Sequence, residues 1–120
     1  MAKITLDIIR KIYPLAKDVY ERRMDITDVQ NKLIKDMNPG SAHDYVRVFL
    51  HMMEGECYKR SINKDAVRHF LEMIHKDFGQ EALCTALSSV KQHTEWYKGL
   101  RPSGLPAIES IYREFQKRIS

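Results

Sequence analysis

Side chains that can bind ligands or transfer protons recur one helical turn apart in the segment AHDYVRVFLHMME, at His43, Arg47 and His51. Imidazole can serve as an acid, a base or a metal ligand, and guanidinium forms paired hydrogen bonds with phosphate or with guanine. A group of basic residues follows shortly afterwards: Lys59, Arg60 and Lys64. This spacing raises two questions, whether the imidazoles perform catalysis and whether the cations bind a polyanion.

The sequence contains none of the familiar catalytic or metal-binding motifs. Its 5 histidines include no HExxH pattern. His69 and His75 lie about 120° apart on a helix, and His43 and His51 are two turns apart, too far for shared ligation of one metal without a third group. A phosphate-binding loop, a dinucleotide fingerprint and a nucleophile elbow are also missing. We therefore expect a protein that is not an enzyme, with no catalytic residue, metal or cofactor.

Composition indicates a soluble globular protein. The chain has 120 residues, 43% hydrophobic and 30% charged, and no apolar run approaches the ~20 residues that a membrane span needs. The N-terminus lacks the apolar core of a signal peptide, so we expect a cytoplasmic protein that does not bind membranes. Cys57 and Cys84 have no paired spacing, and we expect both to be small buried thiols. The net charge of +4 is mildly basic, which suits nucleic acid without requiring it.

Helical spacing of apolar residues recurs along the chain, whereas the alternation typical of strands is nearly absent. We therefore predict an all-α fold, a compact bundle of five to six helices, forming one domain over residues 1–120. Its core spans residues 2–97, and a helix over residues 106–119 packs on it after a Gly/Pro loop. In the first helix Pro14 is expected to cause a kink or a restart.

Two successive helices are predicted within residues 27–54, joined by the turn NPGS at residues 38–41. Thr27 and Gln30 have the form of a capping box for the first helix, and Ser41 is the expected N-cap of the second, which spans residues 42–54 and ends at Gly55. Two helices joined by a short turn with glycine match a helix-turn-helix in outline. Asn63 is the expected cap of the next helix.

A helix-turn-helix offers the start of its second helix to the base edges in the major groove of DNA. In that geometry the second helix supplies readers of base edges, and the basic residues that follow grip phosphates. We therefore predict binding of double-stranded DNA through these residues: Ser41, His43, Asp44, Arg47, His51, Lys59, Arg60, Lys64 and Arg68.

Other interpretations stay open. The polar positions of the second helix can be its solvent edge, with Arg47 paired to Asp44 or Glu56, and the basic segment can be a solvated loop. The chain can also be a protein-interaction or dimerisation module without nucleic-acid contact. Its interface would then use aromatic residues near the C-terminus: Trp96, Tyr97, Tyr112 and Phe115. For Trp96, cover by the last helix is the alternative to exposure.

The stretch MNPGSAHDYVRVFLHMMEGECYKRSIN, with the following AVRHFLEMIHKDFG, resembles a helical domain at the N-terminus of some bacterial HNH endonucleases of the McrA type. The similar pattern is G-S-A-x-D-Y, then G-E-x-Y-x-R, an asparagine, and a helix that ends in aspartate–aromatic–glycine. The resemblance covers roughly residues 2–93. It implies an accessory module in restriction of modified DNA, in defence or in mobile elements. Because residues 1–120 contain no H-N-H motif and no zinc-binding cysteines, the resemblance assigns any cleavage to a nuclease partner.

Overall fold

Six α-helices make up the regular structure of residues 3–119, which are the residues that the computed structural model describes. They are α1 Leu6–Tyr20, α2 Ile26–Lys32, α3 Pro39–Glu54, α4 Lys64–Phe78, α5 Gln80–Leu100 and α6 Pro106–Ile119. The prediction of an all-α bundle of five to six helices is confirmed. The predicted ends of the domain at Met1, Ala2 and Ser120 lie outside the described residues.

The helix α5 occupies the centre of the bundle, where it packs against α3, α4 and α6. The helix α1 packs on α3 and α4, and the short helix α2 lies against α1 and α3. Fully buried Phe49 of α3 meets Phe70 of α4 edge to face, with ring centroids 5.6 Å apart, and Tyr13 of α1 meets Phe49 at 5.5 Å. This aromatic cluster fixes how α1, α3 and α4 sit on one another.

The helix α1 begins where the sequence predicts, because the Thr5 hydroxyl accepts a hydrogen bond from the N–H of Ile8 at 3.4 Å. It then runs through Pro14 without ending, so the predicted restart at this residue is wrong. Pro14 and Arg10 are both exposed, and water can therefore bind the Arg10 carbonyl that the proline leaves unpaired.

The starts of α2 and α3 differ from the predicted ones. Asp25 and Asp28 form the capping box of α2, in place of Thr27 and Gln30, and a carboxylate at this position also favours the positive end of the helix dipole. Asn38 caps α3 by accepting from the N–H groups of Gly40 and Ser41 at 2.7 Å and 3.2 Å. Ser41 therefore lies inside the first turn, because Pro39 is suited to the first helical position and extends the helix backwards.

The end of α3 and the start of α4 agree with the prediction. Gly55 ends α3 in the left-handed conformation, with φ of 72°. A Cβ at this glycine would lie 3.0 Å from the side-chain methyl carbon of Thr85 on α5, so the packing of α5 against this turn also favours glycine. Asn63 caps α4 by accepting from the N–H of Ala66 at 2.8 Å.

The expectation that both cysteines are buried is wrong, since Cys84 is exposed and Cys57 is partly buried. Cys84 lies on the outer side of α5, away from the apolar positions that face the core. Within residues 3–119, no helix combines the length and the apolarity that a membrane-crossing segment needs.

A candidate nucleic-acid interface

The helix α3 carries a polar strip, formed by His43, Asp44, Arg47 and His51, opposite its buried face. His43 and Arg47 are exposed, and among the described residues no carboxylate lies within 4.0 Å of the Arg47 guanidinium. His51 is partly exposed, and its Nδ1–H donates to the carbonyl of Arg47 at 2.7 Å. The strip therefore offers the full hydrogen-bonding capacity of one guanidinium to solvent or to a ligand.

Asp44 pairs with Arg60 and not with Arg47. The distance between Arg60 Nε and Asp44 Oδ1 is 3.9 Å, and His43 Nδ1 lies 3.8 Å from the same oxygen. An ion pair between such exposed side chains contributes little to stability, about 0–1 kcal/mol. The ion pair instead determines where Arg60 lies: it holds the Arg60 guanidinium, which is 76% exposed, alongside the polar strip.

The segment that carries Arg60 is the basic linker, residues 56–63, which connects α3 to α4 without regular structure. Side chains of α5 donate hydrogen bonds to carbonyls at its start. The Ser89 hydroxyl donates to the Glu56 carbonyl at 2.6 Å, and the Gln92 amide donates to the preceding Gly55 carbonyl at 2.9 Å. Because buried carbonyls need partners, these bonds hold an irregular segment against the bundle in one conformation.

His93 of α5 holds the middle of the basic linker. Its Nδ1 lies 2.6 Å from the Tyr58 carbonyl, and since a carbonyl can only accept, Nδ1 carries the proton. In the neutral ring Nε2 then accepts from the Ser61 hydroxyl at 3.4 Å. The imidazole also stacks on the Tyr58 ring, with centroids 4.1 Å apart. Burial lowers the pKa of His93, an effect that the bond to the Tyr58 carbonyl partly opposes, so the fold favours the neutral imidazole.

The far end of the basic linker is attached to α3 and to the chain before α1. The N–H of Asn63 donates to the Tyr45 hydroxyl at 3.3 Å, and its side-chain amide donates to the Ile4 carbonyl at 3.0 Å. Burial raises the pKa of Tyr45, so its hydroxyl keeps its proton. Two pairs, Asp44 with Arg60 and Tyr45 with Asn63, therefore join α3 to the basic linker.

The remaining basic residues that were predicted to contact DNA point elsewhere. The Lys59 ammonium lies 5.9 Å from the centroid of the Trp96 ring on α5, and Lys64 borders a groove at the start of α6. Arg68 forms two hydrogen bonds with the Glu114 carboxylate of α6, at 2.5 Å and 3.1 Å, and these raise the pKa of the arginine. Arg68 is thus paired with Glu114 between α4 and α6, and its predicted contact with phosphate stays a prediction.

The aromatic residues of the alternative interface are only partly available. Phe115 is fully buried, so it cannot contact a partner. Trp96 and Tyr97 on α5 and Tyr112 on α6 are partly exposed. Trp96 lies beside His93, with ring centroids 5.9 Å apart, on the side of α5 that faces the basic linker.

Two arginines that the sequence analysis omits lie next to the polar strip. Arg22 and Arg23 occupy the turn between α1 and α2, and both line an open groove together with Arg47. The signal available in the sequence is the adjacent pair in YERRMD, directly before α2. The groove connects residues far apart in the chain, so their spacing along the sequence does not reveal it.

Among residues 3–119, no group of three or more His, Cys, Asp or Glu side chains is arranged to hold a metal ion. Comparisons with protein-family models, with curated proteins and with solved structures found no match to this chain. The case for a function therefore depends on the geometry of the described residues.

Proposed function

We propose that this chain is a non-catalytic module that binds double-stranded DNA through the polar strip of α3 and the adjoining basic linker. One observation carries the proposal. Arg47 projects from the outer face of α3 with no carboxylate within 4.0 Å among the described residues, while the Asp44–Arg60 pair holds a second guanidinium beside it. Cations held in a fixed relation on α3 and on the segment beside it suit a surface that meets a regular polyanion.

The roles of the two arginines differ. A helix placed in the major groove turns its exposed face to base edges, and Arg47 is an exposed residue at the middle of α3, the ninth of its 16 residues. Guanidinium can bind the O6 and N7 atoms of guanine in a bidentate manner. Arg60 lies to the side of α3, on a segment that α5 holds in place. A side chain beside the helix faces the sugar–phosphate backbone, so we assign Arg60 a contact with phosphate.

The resemblance to McrA-type proteins supplies a setting for this proposal. A module that binds DNA without cleaving it would act with a nuclease or another protein partner, and duplex binding would position that partner. The net charge of +4 is small, so a single copy would bind weakly and with strong dependence on salt. Tethering to a partner or formation of a homodimer would raise the effective affinity.

The proposal is tested by titrating a fluorescent DNA duplex with the protein and following anisotropy at two salt concentrations. We expect saturable binding that weakens as salt rises. Arg47→Ala should weaken binding by about 1–3 kcal/mol if the arginine contacts a base, and the charge reversal Arg60→Glu should also weaken it. Arg113→Ala is the matched control, because Arg113 is an exposed arginine on α6, which packs on α4 and α5. Unchanged anisotropy at low salt would refute duplex binding.

A protein-interaction or dimerisation module is the second candidate. It is favoured by the end of α5, where Leu100 is 64% exposed and lies one turn from the partly exposed Trp96 and Tyr97. An exposed leucine beside two aromatic rings is typical of the apolar centre of an interface. Light scattering coupled to size-exclusion chromatography distinguishes the candidates. A dimer that Leu100→Glu converts to monomer, in a protein that does not bind duplex, would support this second function.

A further inference from the structure

The turn that follows α1 has an unusual residue in a strained position. Arg22 has φ of 62°, and it is the one residue other than glycine with a positive φ in residues 3–119. Its N–H donates to the Val19 carbonyl at 3.0 Å, and the next N–H, of Arg23, donates to the Asp18 carbonyl at 2.8 Å. This is the hydrogen-bond pattern of a Schellman motif, in which the left-handed position is usually occupied by glycine. The chain therefore has an arginine where the backbone alone favours glycine.

The side chains of this turn face the same groove as the polar strip. Arg22 and Arg23 are exposed, and neither has a carboxylate within 4.0 Å among the described residues. They line the groove with Arg47, so three arginines border it. Asp25 and Asp28 also line it, but their carboxylates accept hydrogen bonds from backbone N–H groups in the capping box of α2. With three arginines and two aspartates in its lining, the groove has an excess of one cationic side chain.

The cations lie on both sides of the polar strip. On a helix with 100° per residue, Asp44 is displaced about 60° to one side of Arg47, and Leu50 about 60° to the other. Arg60 contacts Asp44, whereas the groove of Arg22 and Arg23 extends to Leu50. A helix in the major groove has the phosphates of the two strands on its two sides. Arg60 therefore lies on one side of α3, and Arg22 and Arg23 on the other, which are the sides that the two phosphate rows would face.

We infer that the turn at residues 21–24 is a second phosphate-binding arm, which contacts the strand opposite to the one that Arg60 contacts. The inference rests on the proposed duplex binding and adds the residues and the geometry by which both strands are held. It also explains why an arginine occupies position 22. The arginine supplies a phosphate contact that glycine would lack, and this contact offsets the less favourable backbone conformation.

The charge of Arg22 is tested with Arg22→Asn, because asparagine tolerates the left-handed conformation and removes the cation. Each phosphate contact contributes about 0.9 to the slope of log K against log salt, so we expect the slope to fall by about 0.9 and the affinity at about 0.1 M salt to fall roughly eightfold. Arg22→Lys should retain the wild-type slope. Arg113→Asn, a matched loss of one exposed arginine on α6, should leave slope and affinity unchanged.

A second variant separates binding from folding. Arg22→Gly should raise the urea midpoint of unfolding, because glycine adopts this backbone conformation without strain, and should lower duplex affinity as much as Arg22→Asn does. A purely structural role of the arginine cannot produce weaker binding in a more stable protein.

The outcomes distinguish this inference from the proposed function. If Arg22→Asn leaves the salt slope at the wild-type value while Arg47→Ala weakens binding, the second arm is refuted and duplex binding stands. If the wild-type protein shows no saturable, salt-dependent binding, both are refuted. A loss of slope in Arg22→Asn that Arg22→Lys restores supports both.

Discussion

The attachment of the basic linker to α5 through His93 predicts a large loss of stability when this side chain is removed. His93→Ala removes the Tyr58 carbonyl's strong donor at 2.6 Å, leaving only the weak thiol donor of Cys57 at 3.8 Å, and it removes a ring stacked at 4.1 Å. A buried carbonyl without a partner costs about 1–3 kcal/mol, and loss of an aromatic contact about 0.5–1.5 kcal/mol. Because His93 is only 2% exposed, its removal also leaves a cavity, which adds to the loss of stability. We expect a loss of about 3 kcal/mol in the free energy of unfolding.

The measurement is urea unfolding followed by circular dichroism at pH 8, where the imidazole is neutral. Ser61→Ala is the matched control. It removes the weaker hydrogen bond to the same imidazole, at 3.4 Å on an exposed residue, and should cost less than about 1 kcal/mol. His93→Gln should fall between the two variants, because an amide can donate to the Tyr58 carbonyl but cannot replace the stacked ring.

The pH dependence gives a separate test. Since burial lowers the pKa of His93, the unfolded chain binds more protons than the folded protein near and below its ordinary value of about 6.5. The contribution of His93 is therefore complete above that value and declines as pH falls, until the folded protein is protonated as well. The stability difference between wild type and His93→Gln should shrink from pH 8 to pH 5. His69, whose pKa burial also lowers, is common to both proteins and cancels in the difference.

Two results would refute this account. A loss below about 0.5 kcal/mol in His93→Ala would mean that the carbonyl of Tyr58 finds another donor. A stability difference between wild type and His93→Gln that does not change between pH 8 and pH 5 would mean that the imidazole titrates equally in the folded and unfolded states.

Further predictions concern the ends of helices and the ion pairs. Gly55→Ala should lower the free energy of unfolding in urea by about 1–2 kcal/mol, because its φ of 72° is unfavourable for alanine; an unchanged midpoint would contradict this. Asp77→Asn should cost about 1 kcal/mol by weakening the bond from the Tyr13 hydroxyl at 2.8 Å. The Tyr13 hydroxyl and neighbouring cations lower the pKa of Asp77. The Asp77 carboxylate therefore stabilises the folded protein above the ordinary carboxyl range, and this contribution is lost as pH falls below about 4. The free energies of unfolding of wild type and Asp77→Asn should therefore converge in acid. Arg68→Ala should cost less than about 1 kcal/mol and leave duplex affinity unchanged in anisotropy titrations, since Glu114 already neutralises the guanidinium.

The boundaries of the helices show how far local signals extend. Thr5, Gly55, Asn63 and Pro106 occupy the helix ends that the sequence predicts, because at each of these ends a single residue type satisfies the local geometry. At the starts of α2 and α3, several capping residues lie within a few positions of one another. At these two starts the structure differs from the prediction. Asp25 begins the capping box of α2, and Asn38 with the following proline begins α3 one turn earlier than predicted.

The same limit applies to the candidate interface. Helical spacing places Arg47 on the outer side of a mostly apolar α3, because the periodicity of the apolar residues defines the buried face. It does not say which cations surround that arginine. Arg22 reaches the groove of Arg47 from the end of α1, whereas Arg68 is held by Glu114 on α6.

By itself, the sequence determined the all-α class, most helix ends and the outward direction of the polar strip, since these depend on interactions within a few residues along one helix. Only the tertiary structure decided which basic residues lie together. The ion pair between Asp44 and Arg60, the attachment of the linker through His93, and the groove shared by Arg22 and Arg47 all join separate elements. Their contacts depend on how the buried faces of the helices pack, and spacing along one chain does not contain that information.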